Sequence, residues 1–290
     1  MIDNVFEKAC LIQLSSSIWQ GSRMIDHAVM EKLGKNSDWI KGRKFLINPE
    51  LLGPIKTAVH QARNTITKYA LPFPITSIYL VPKESLVAID EALQVYQDRF
   101  WEKVDGFEEL YSAAMDEARG FLGDLFNQTD YPANIRSKFK FDWRFLTLSI
   151  PEHTSVLSPE VYIREKEKFL TMMDEARELA SITLADELGK IVSTLTEKLT
   201  SGDKPRTLGS SMFNRLNEFL NGFEKRNLFN DETLAELTKQ ARTIISGVSP
   251  FGISYNEEMK KRIKTEMTEL RTSIDAAIED LPRRKLRLAA

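Results

Sequence analysis

Apolar side chains recur at steps of mostly three and four residues over three long stretches of the chain. The longest stripe covers residues 86–125, roughly eleven helical turns, whereas an average globular helix has about three. Similar stripes return over 169–199 and 259–281. The pattern predicts a mainly α protein built from long amphipathic helices, as a helical bundle or a coiled-coil stalk. The members of the longest stripe are Leu86, Leu93, Tyr96, Phe100, Val104, Phe107, Tyr111, Met115, Ala118, Leu122 and Leu125.

Capping residues predict where several helices begin. Asn48-Pro49-Glu50 combines a capping side chain, a proline in the first turn and a favourably placed acid, so a helix is expected from there to about Tyr69. Ser158-Pro159-Glu160 begins a second long helix in the same way, and a polar stretch at 201–205 ends it. Pro82 is expected to open the long striped helix.

The last part of the chain predicts two further helical segments. The first is expected to split around Asn221-Gly222 and again near Asn230, because these residues favour turns. It closes at 247–250, and a final helix runs from about 256 to 281.

Alternation with a period of two predicts a small β element beside the helices. Residues 10–14 and 75–81 are read as short strands, and 139–150 as the clearest one. In that strand aromatic and charged residues alternate, which places the aromatic side chains on one face and the cations on the other. The fold class is therefore mainly α with a small β element (α+β). The alternating residues are Phe139, Phe141, Trp143 and Phe145 against Lys138, Lys140, Asp142 and Arg144.

Chain length constrains how the strands can meet. A continuous helix over 83–127 would be roughly 67 Å long, and the connector 128–138 spans at most about 37 Å. Either the helix folds back at Gly106 or Gly120, or the strands at 75–81 and 139–150 do not pair within one subunit. The apolar spacing slips just before Gly106, which favours a hinge there.

Three regions are predicted along the chain. Residues 1–150 hold the short strands and the longest helix, 151–250 form a helical bundle, and 251–290 form a C-terminal helix with a basic tail. The boundaries leave open that all three belong to one domain.

Composition excludes several classes of protein. The 40 basic and 42 acidic residues give a net charge of −2, so no global field draws nucleic acid or an anionic membrane to the chain. Cys10 is the only cysteine, which excludes an intramolecular disulfide and a cysteine-rich zinc site. The start of the chain lacks the pattern of a secretory signal, and its apolar runs are far shorter than the ~20 residues of a membrane span. A cytoplasmic protein without an integral membrane segment is expected.

Catalytic and cofactor motifs are missing from the sequence. The fragment at 34–37 lacks the first glycine of a phosphate-binding loop. His27 and Glu31 share a helical spacing, but a metal needs at least one further ligand. The sequence therefore predicts a protein that is not an enzyme and that has no catalytic residues, no metal and no cofactor.

Two basic features are candidate contacts for phosphates or an acidic partner. The first is the strand face with Lys138, Lys140 and Arg144. Cations beside aromatic residues can bind single-stranded nucleic acid, although opposite faces suit a buried core better. The second is the basic tail that follows the last helix, namely Arg283, Arg284, Lys285 and Arg287.

A family resemblance rests on two segments. Trp19-Gln20-Gly21 precedes the segment Lys44-Phe45-Leu46-Ile47-Asn48-Pro49-Glu50-Leu51-Leu52-Gly53-Pro54, which leads into a helix containing Ala62-Arg63. With Tyr69 and Val81-Pro82 after them, these residues make the chain resemble a bacterial and phage family catalogued as domain of unknown function 3150. The resemblance implies genes beside MoxR-type AAA+ ATPases and von Willebrand factor A (VWA) proteins, and it carries no catalytic residues over to this chain.

Three functions are compatible with these patterns. The leading hypothesis is a non-enzymatic helical scaffold or adaptor, phage- or mobile-element-encoded, that self-associates or partners a MoxR-like AAA+ ATPase and a VWA protein. The alternative is a nucleic-acid-binding accessory protein that uses the two basic features. An α-helical membrane-active protein is the third, although no markedly apolar hairpin supports it.

Overall fold

The computed structural model of the chain describes residues 5–26, 30, 41–149, 158–200, 210–248 and 256–279. The helices are α1 (Val5–Lys8), α2 (Gly53–Tyr69), α3 (Leu86–Leu122), α4 (Pro159–Thr200), α5 (Ser210–Arg226), α6 (Glu232–Ile245) and α7 (Glu257–Glu279). The strands are β1 (Ala9–Ser17), β2 (Ser22–Met24), β3 (Arg43–Phe45), β4 (Leu71–Pro72), β5 (Ile78–Pro82) and β6 (Lys140–Leu146). The mainly α class with a small β element is confirmed.

The strands form two sheets. One has the strand order β4-β5-β1-β6, and the other pairs β2 with β3. β4 and β5 are antiparallel, with Leu71 opposite Leu80. β2 and β3 are also antiparallel, with Arg23 opposite Lys44. The strands predicted at 10–14, 75–81 and 139–150 correspond to β1, β5 and β6 of the first sheet, although β5 begins only at Ile78 and β6 covers Lys140–Leu146.

The chain divides into two units that each draw on separate parts of the sequence. The first unit takes Met1–Ile12, Tyr69–Ser85 and Phe145–Ala290, and the second takes Gln13–Lys68 and Leu86–Arg144. Residues from the predicted region 1–150 contribute to both units, and α7 lies in the first unit.

The first unit is a helical bundle on a short piece of sheet. Buried side chains of α4, such as Leu188 and Val192, share one core with Leu216 of α5 and with Ile263 and Met267 of α7. Leu11, Leu71 and Leu80 of the strands belong to the same core.

Helix α5 is continuous where the sequence predicts a break. Asn221-Gly222 lies inside α5, so the split predicted there is wrong, whereas the split near Asn230 is confirmed. Phe219 and Phe223 flank the dipeptide and are both buried. Their burial outweighs the roughly 1 kcal/mol by which glycine weakens a helix.

The second unit is built on α3, whose stripe faces the unit's own strand. Every residue of the predicted stripe is buried or half-buried. Rings of β6 and the preceding residue cover it, with Phe100 lying 5.4 Å from Phe141 and Phe107 lying 5.8 Å from Phe139 between ring centroids. The stripe is thus the core of a folded unit, and β6 takes the place that a second coiled-coil helix would occupy.

The chain that follows α3 runs back along this helix, and α3 itself has no hinge. The Tyr111 hydroxyl donates to the Pro132 carbonyl at 3.2 Å, and the Trp143 indole donates to Asp90 at 2.8 Å. The 21 helical steps from Asp90 to Tyr111 rise about 32 Å. The eleven steps from Pro132 to Trp143 include a 3-10 turn at Arg136–Lys138, and the rest is extended enough to cover this distance together with the reach of the two side chains. Strand β6 thereby reaches the sheet that contains β5, with β1 between the two strands.

The predicted hinge at Gly106 or Gly120 is therefore wrong, because α3 is continuous through both. The connector 128–138 is only part of the chain that returns along α3. Strand β6 itself also returns, and it covers about twice as much distance per residue as the helix does.

Alanine at Gly106 or Gly120 is expected to stabilise the second unit. A Cβ atom added at either position would meet no atom within 4 Å, so the variants should gain up to about 1 kcal/mol. Gly123→Ala is the matched control, because Gly123 has a φ of +50° that side-chain-bearing residues disfavour. Urea unfolding measures all three, and a loss of stability in Gly106→Ala would contradict a helix that continues through Gly106.

None of the described helices has the length and apolar character that a membrane span requires.

Candidate functional site

The described residues offer no centre for metal chemistry. They contain no group of three or more His, Cys, Asp or Glu side chains that could hold a metal ion. His27, Glu31 and the fragment at 34–37 lie outside the part of the chain that the structure describes. Cys10 is half-buried, and burial raises the pKa of its thiol, which lowers its fraction of reactive thiolate at neutral pH.

The basic strand face has its aromatic residues on the opposite side. Lys138, Lys140 and Arg144 are exposed, while Phe139 and Phe141 are buried against α3. The Arg144 guanidinium donates to Gln13 of the neighbouring strand β1 at 3.0 Å. This face presents cations without stacking platforms, so a contact with nucleic acid would rest on phosphates alone. The other predicted basic residues, Arg283, Arg284, Lys285 and Arg287, lie outside the described residues.

An apolar groove lies at the C-terminal end of α3. It has a volume of about 430 Å³, and the β3 strand and the residues after it form one wall while α3 forms the other. Phe121 is 85% exposed and Phe45 is 57% exposed, which is unusual for side chains of this size. The lining residues are Phe45, Ile47, Asn48, Pro49, Glu117, Ala118, Phe121 and Leu122.

A tight turn at Gly21 positions the strand wall of the groove. Gly21 has a φ of +59°, and an added Cβ atom would lie 3.1 Å from Ile47 and 3.2 Å from Leu52. Its carbonyl accepts the backbone N–H of Leu46 at 2.8 Å. The Asn48 side chain then accepts the N–H of Glu50 at 3.0 Å, which starts the helical turn as the sequence predicts. The two segments that carry the family resemblance thus meet at this groove.

A charged cluster holds one face of the β2–β3 hairpin. Asp130 is 5% exposed, and its carboxylate lies 2.6 Å from Arg23 and 2.7 Å from Lys44. Lys44 also donates to the Leu125 carbonyl at 2.6 Å. The contact from Lys44 to Oδ2 of Asp130 is an ion pair without regular hydrogen-bond geometry. We call these three charged residues the Asp130 cluster.

The Asp130 cluster determines which side chains of the hairpin face outward. Arg23 and Lys44 are opposite each other in the ladder, so their side chains share the face that meets Asp130. Met24 and Phe45 are their neighbours along the strands and therefore project to the other face. Met24 is 46% exposed there, next to the exposed Phe45.

Aromatic residues support the helix wall from behind. Trp19 packs edge-on against Tyr111 at 5.7 Å, and Phe126 lies 5.2 Å from Tyr131 between ring centroids. Burial, with a smaller effect of the neighbouring Tyr131, raises the pKa of Tyr111 to about 12. Both phenols thus stay neutral at physiological pH, and this layer keeps the end of α3 in place.

Sequence reasoning missed the groove. Phe121 lies three residues after Ala118 and four before Leu125, a spacing that fits the apolar stripe, and Phe45 is flanked by a lysine that points the other way. The spacing alone does not distinguish the exposed ring of Phe121 from the buried members of the stripe, so no local signal identifies this surface.

A second groove, in the first unit, lacks the features of a ligand site. It measures about 630 Å³ between α6 and α7. Four of its charged residues pair along their own helices, Lys239 with Glu236 and Arg262 with Glu266, both at 3.8 Å. Such exposed pairs contribute little and leave no buried charge to recognise a ligand.

Comparison with known proteins gives one match. The family described as a protein of unknown function (DUF3150) matches residues 6–246, which cover the whole second unit and the first unit as far as the end of α6. No curated protein and no solved structure is significantly similar to the chain. The match covers most of the 290 residues, and the chain therefore belongs to the DUF3150 family.

Proposed function

We propose that this protein is a non-enzymatic helical scaffold or adaptor that works through protein contacts at the groove beside Phe121. The observation that carries the proposal is the pair of exposed aromatic residues, Phe45 and Phe121, on either side of an apolar groove. Exposed apolar side chains around a groove are typical of protein interaction sites.

The rigid surroundings of the groove support this proposal. Buried aromatic residues hold the helix wall, and the Asp130 cluster holds the hairpin that carries Phe45. A preformed surface loses little conformational entropy when a partner binds. Such a surface fits a docking role better than a mobile loop would.

The proposed partners are further copies of the chain, a MoxR-like AAA+ ATPase and a VWA protein. These partners follow from the family resemblance and not from the geometry of the groove. The proposal includes a cytoplasmic location and an origin in a phage or mobile element, in keeping with a single cysteine and the family's suggested gene neighbourhood.

Affinity capture tests the proposal. The tagged full chain is co-expressed with a MoxR-type ATPase and a VWA protein from the same gene neighbourhood, and captured proteins are identified by mass. We expect capture by the wild type and at least a tenfold loss in Phe121→Ser, because one central aromatic residue often dominates such an interface. Val87→Ser is the control, since Val87 is 69% exposed at the other end of α3.

Nucleic-acid binding is the second candidate function, and the exposed Lys138, Lys140 and Arg144 favour it. The purified full chain is tested for it in a mobility-shift assay. A salt-sensitive mobility shift that disappears in a Lys138→Glu, Lys140→Glu variant would favour that alternative. A strict monomer that captures neither protein would contradict the scaffold proposal.

A further inference from the structure

We propose that the groove beside Phe121 is a two-fold contact between two copies of this chain, in which Phe121 of each copy enters the groove of the other. The inference rests on the proposed scaffold function and names the occupant of its surface.

The same patch of the second unit holds both a projecting side chain and a recess. Phe121 is 85% exposed, and the groove that it borders has a volume of about 430 Å³, enough for an aromatic ring. In a two-fold dimer the same surface of each copy meets the other, so a patch must be complementary to itself. A projecting ring beside an apolar recess meets this requirement.

Residues of opposite charge stand at the groove, with Glu117 in its helix wall and Arg43 just outside its strand wall, where the Arg43 guanidinium donates to Ser22 at 2.7 Å. Arg43 lies two residues before Phe45 on β3, so both project from one strand face, and both are exposed. Glu117 lies four residues before Phe121 on α3, so both share one helix face, and both are exposed. Two-fold pairing brings the strand wall of one copy against the helix wall of the other. Arg43 of each copy then approaches Glu117 of the other copy. Phe45 of each copy likewise approaches Phe121 of the other copy.

The size of the patch determines how stable this dimer can be. One aromatic residue per copy with a small apolar surround buries less area than the roughly 1,200 Å² of a stable interface. The dimer is therefore weak and exchanges with monomer as the concentration changes. A weak contact of this kind suits a scaffold that gathers several copies around a larger partner.

Sedimentation equilibrium of the full chain over a wide concentration range tests the inference. We expect the average mass of the wild type to rise from 33.2 kDa towards twice that value. Phe121→Ser should weaken dimerisation at least about tenfold, while Val87→Ser should leave it unchanged. Circular dichroism checks that each variant is folded, which is expected because both side chains are largely exposed.

Charge reversal provides a second, independent test. Glu117→Arg and Arg43→Glu should each weaken the dimer, because each places like charges opposite one another, and the double variant should restore it. If the variants acted only through lower solubility or through non-specific hydrophobic association, the double variant would not restore dimerisation.

Three outcomes would overturn the inference. They are a monomer at every concentration, equal effects of Phe121→Ser and Val87→Ser, and a double variant no better than the single ones. If a strictly monomeric chain still captures the ATPase, the two-fold contact is refuted while the scaffold function stands.

Discussion

Phe100→Ala is expected to destabilise the second unit by about 3–5 kcal/mol, the usual loss for a large aromatic residue removed from a packed core. Phe100 is completely buried, and its ring lies 5.2 Å from that of Trp101 and 5.4 Å from that of Phe141. It therefore joins α3 to β6 at the centre of the stripe. Removing the ring leaves a cavity that the surrounding strand and helix cannot fill without moving.

Tryptophan fluorescence during urea unfolding measures the free energy of unfolding of the second unit specifically. Trp19, Trp101 and Trp143 lie in the second unit, and the described part of the first unit contains no tryptophan. Phe121→Ala is the matched control, since it makes the same substitution on the same helix at a position 85% exposed. We expect it to change the free energy of unfolding by less than about 0.5 kcal/mol. Equal losses in the two variants would contradict the packing of α3 on β6.

Asp130→Ala is expected to cost about 2–4 kcal/mol, because it leaves a largely buried cation without its counter-charge. Lys44 is only 12% exposed, whereas Arg23 is 56% exposed and can be hydrated. The expected loss is therefore smaller than for a pair in which both partners are fully buried. Because Asp130 holds the hairpin that carries Phe45, the variant should also weaken binding at the groove.

Asp116→Ala is the control for this prediction. Asp116 is 64% exposed and lies 3.5 Å from Arg119 in a surface pair, which contributes at most about 1 kcal/mol. A double-mutant cycle with Lys44→Met separates the ion pair from the loss of packing. If Asp130→Ala costs no more than Asp116→Ala, the Asp130 cluster does not hold the hairpin.

Helix boundaries were predictable because their signals are local. Asn48 caps the turn that leads into α2, and Ser158 accepts the N–H of Val161 at 3.4 Å where α4 begins. Each of these caps involves residues two or three positions apart, so the sequence alone contains the whole interaction. The predicted limits of α2 and α4 agree with the structure to within a few residues.

The predicted breaks failed because glycine is only a weak signal. Gly106, Gly120 and Gly222 all lie inside continuous helices. A glycine raises the cost of a helical turn by about 1 kcal/mol, which burial of a single neighbour such as Phe107 or Phe223 outweighs. The burial depends on side chains far away in sequence, and the local pattern does not contain them.

The candidate site could be recognised only from the fold. Gly21, Lys44 and Asp130 lie up to 109 positions apart, yet together they determine which face of the hairpin is exposed. The resemblance segments at 19–21 and 44–54 indicated which stretches belong to the family pattern. They did not reveal that these stretches form one wall of a groove against α3.

Native mass analysis of the full chain, co-expressed with a MoxR-type ATPase and purified under mild conditions, tests the scaffold function most directly. We predict complexes that contain the chain in more than one copy or bound to the ATPase, and we predict that Phe121→Ser depletes these complexes while Val87→Ser retains them. A single species of 33.2 kDa under all conditions, with no partner bound, would contradict the account.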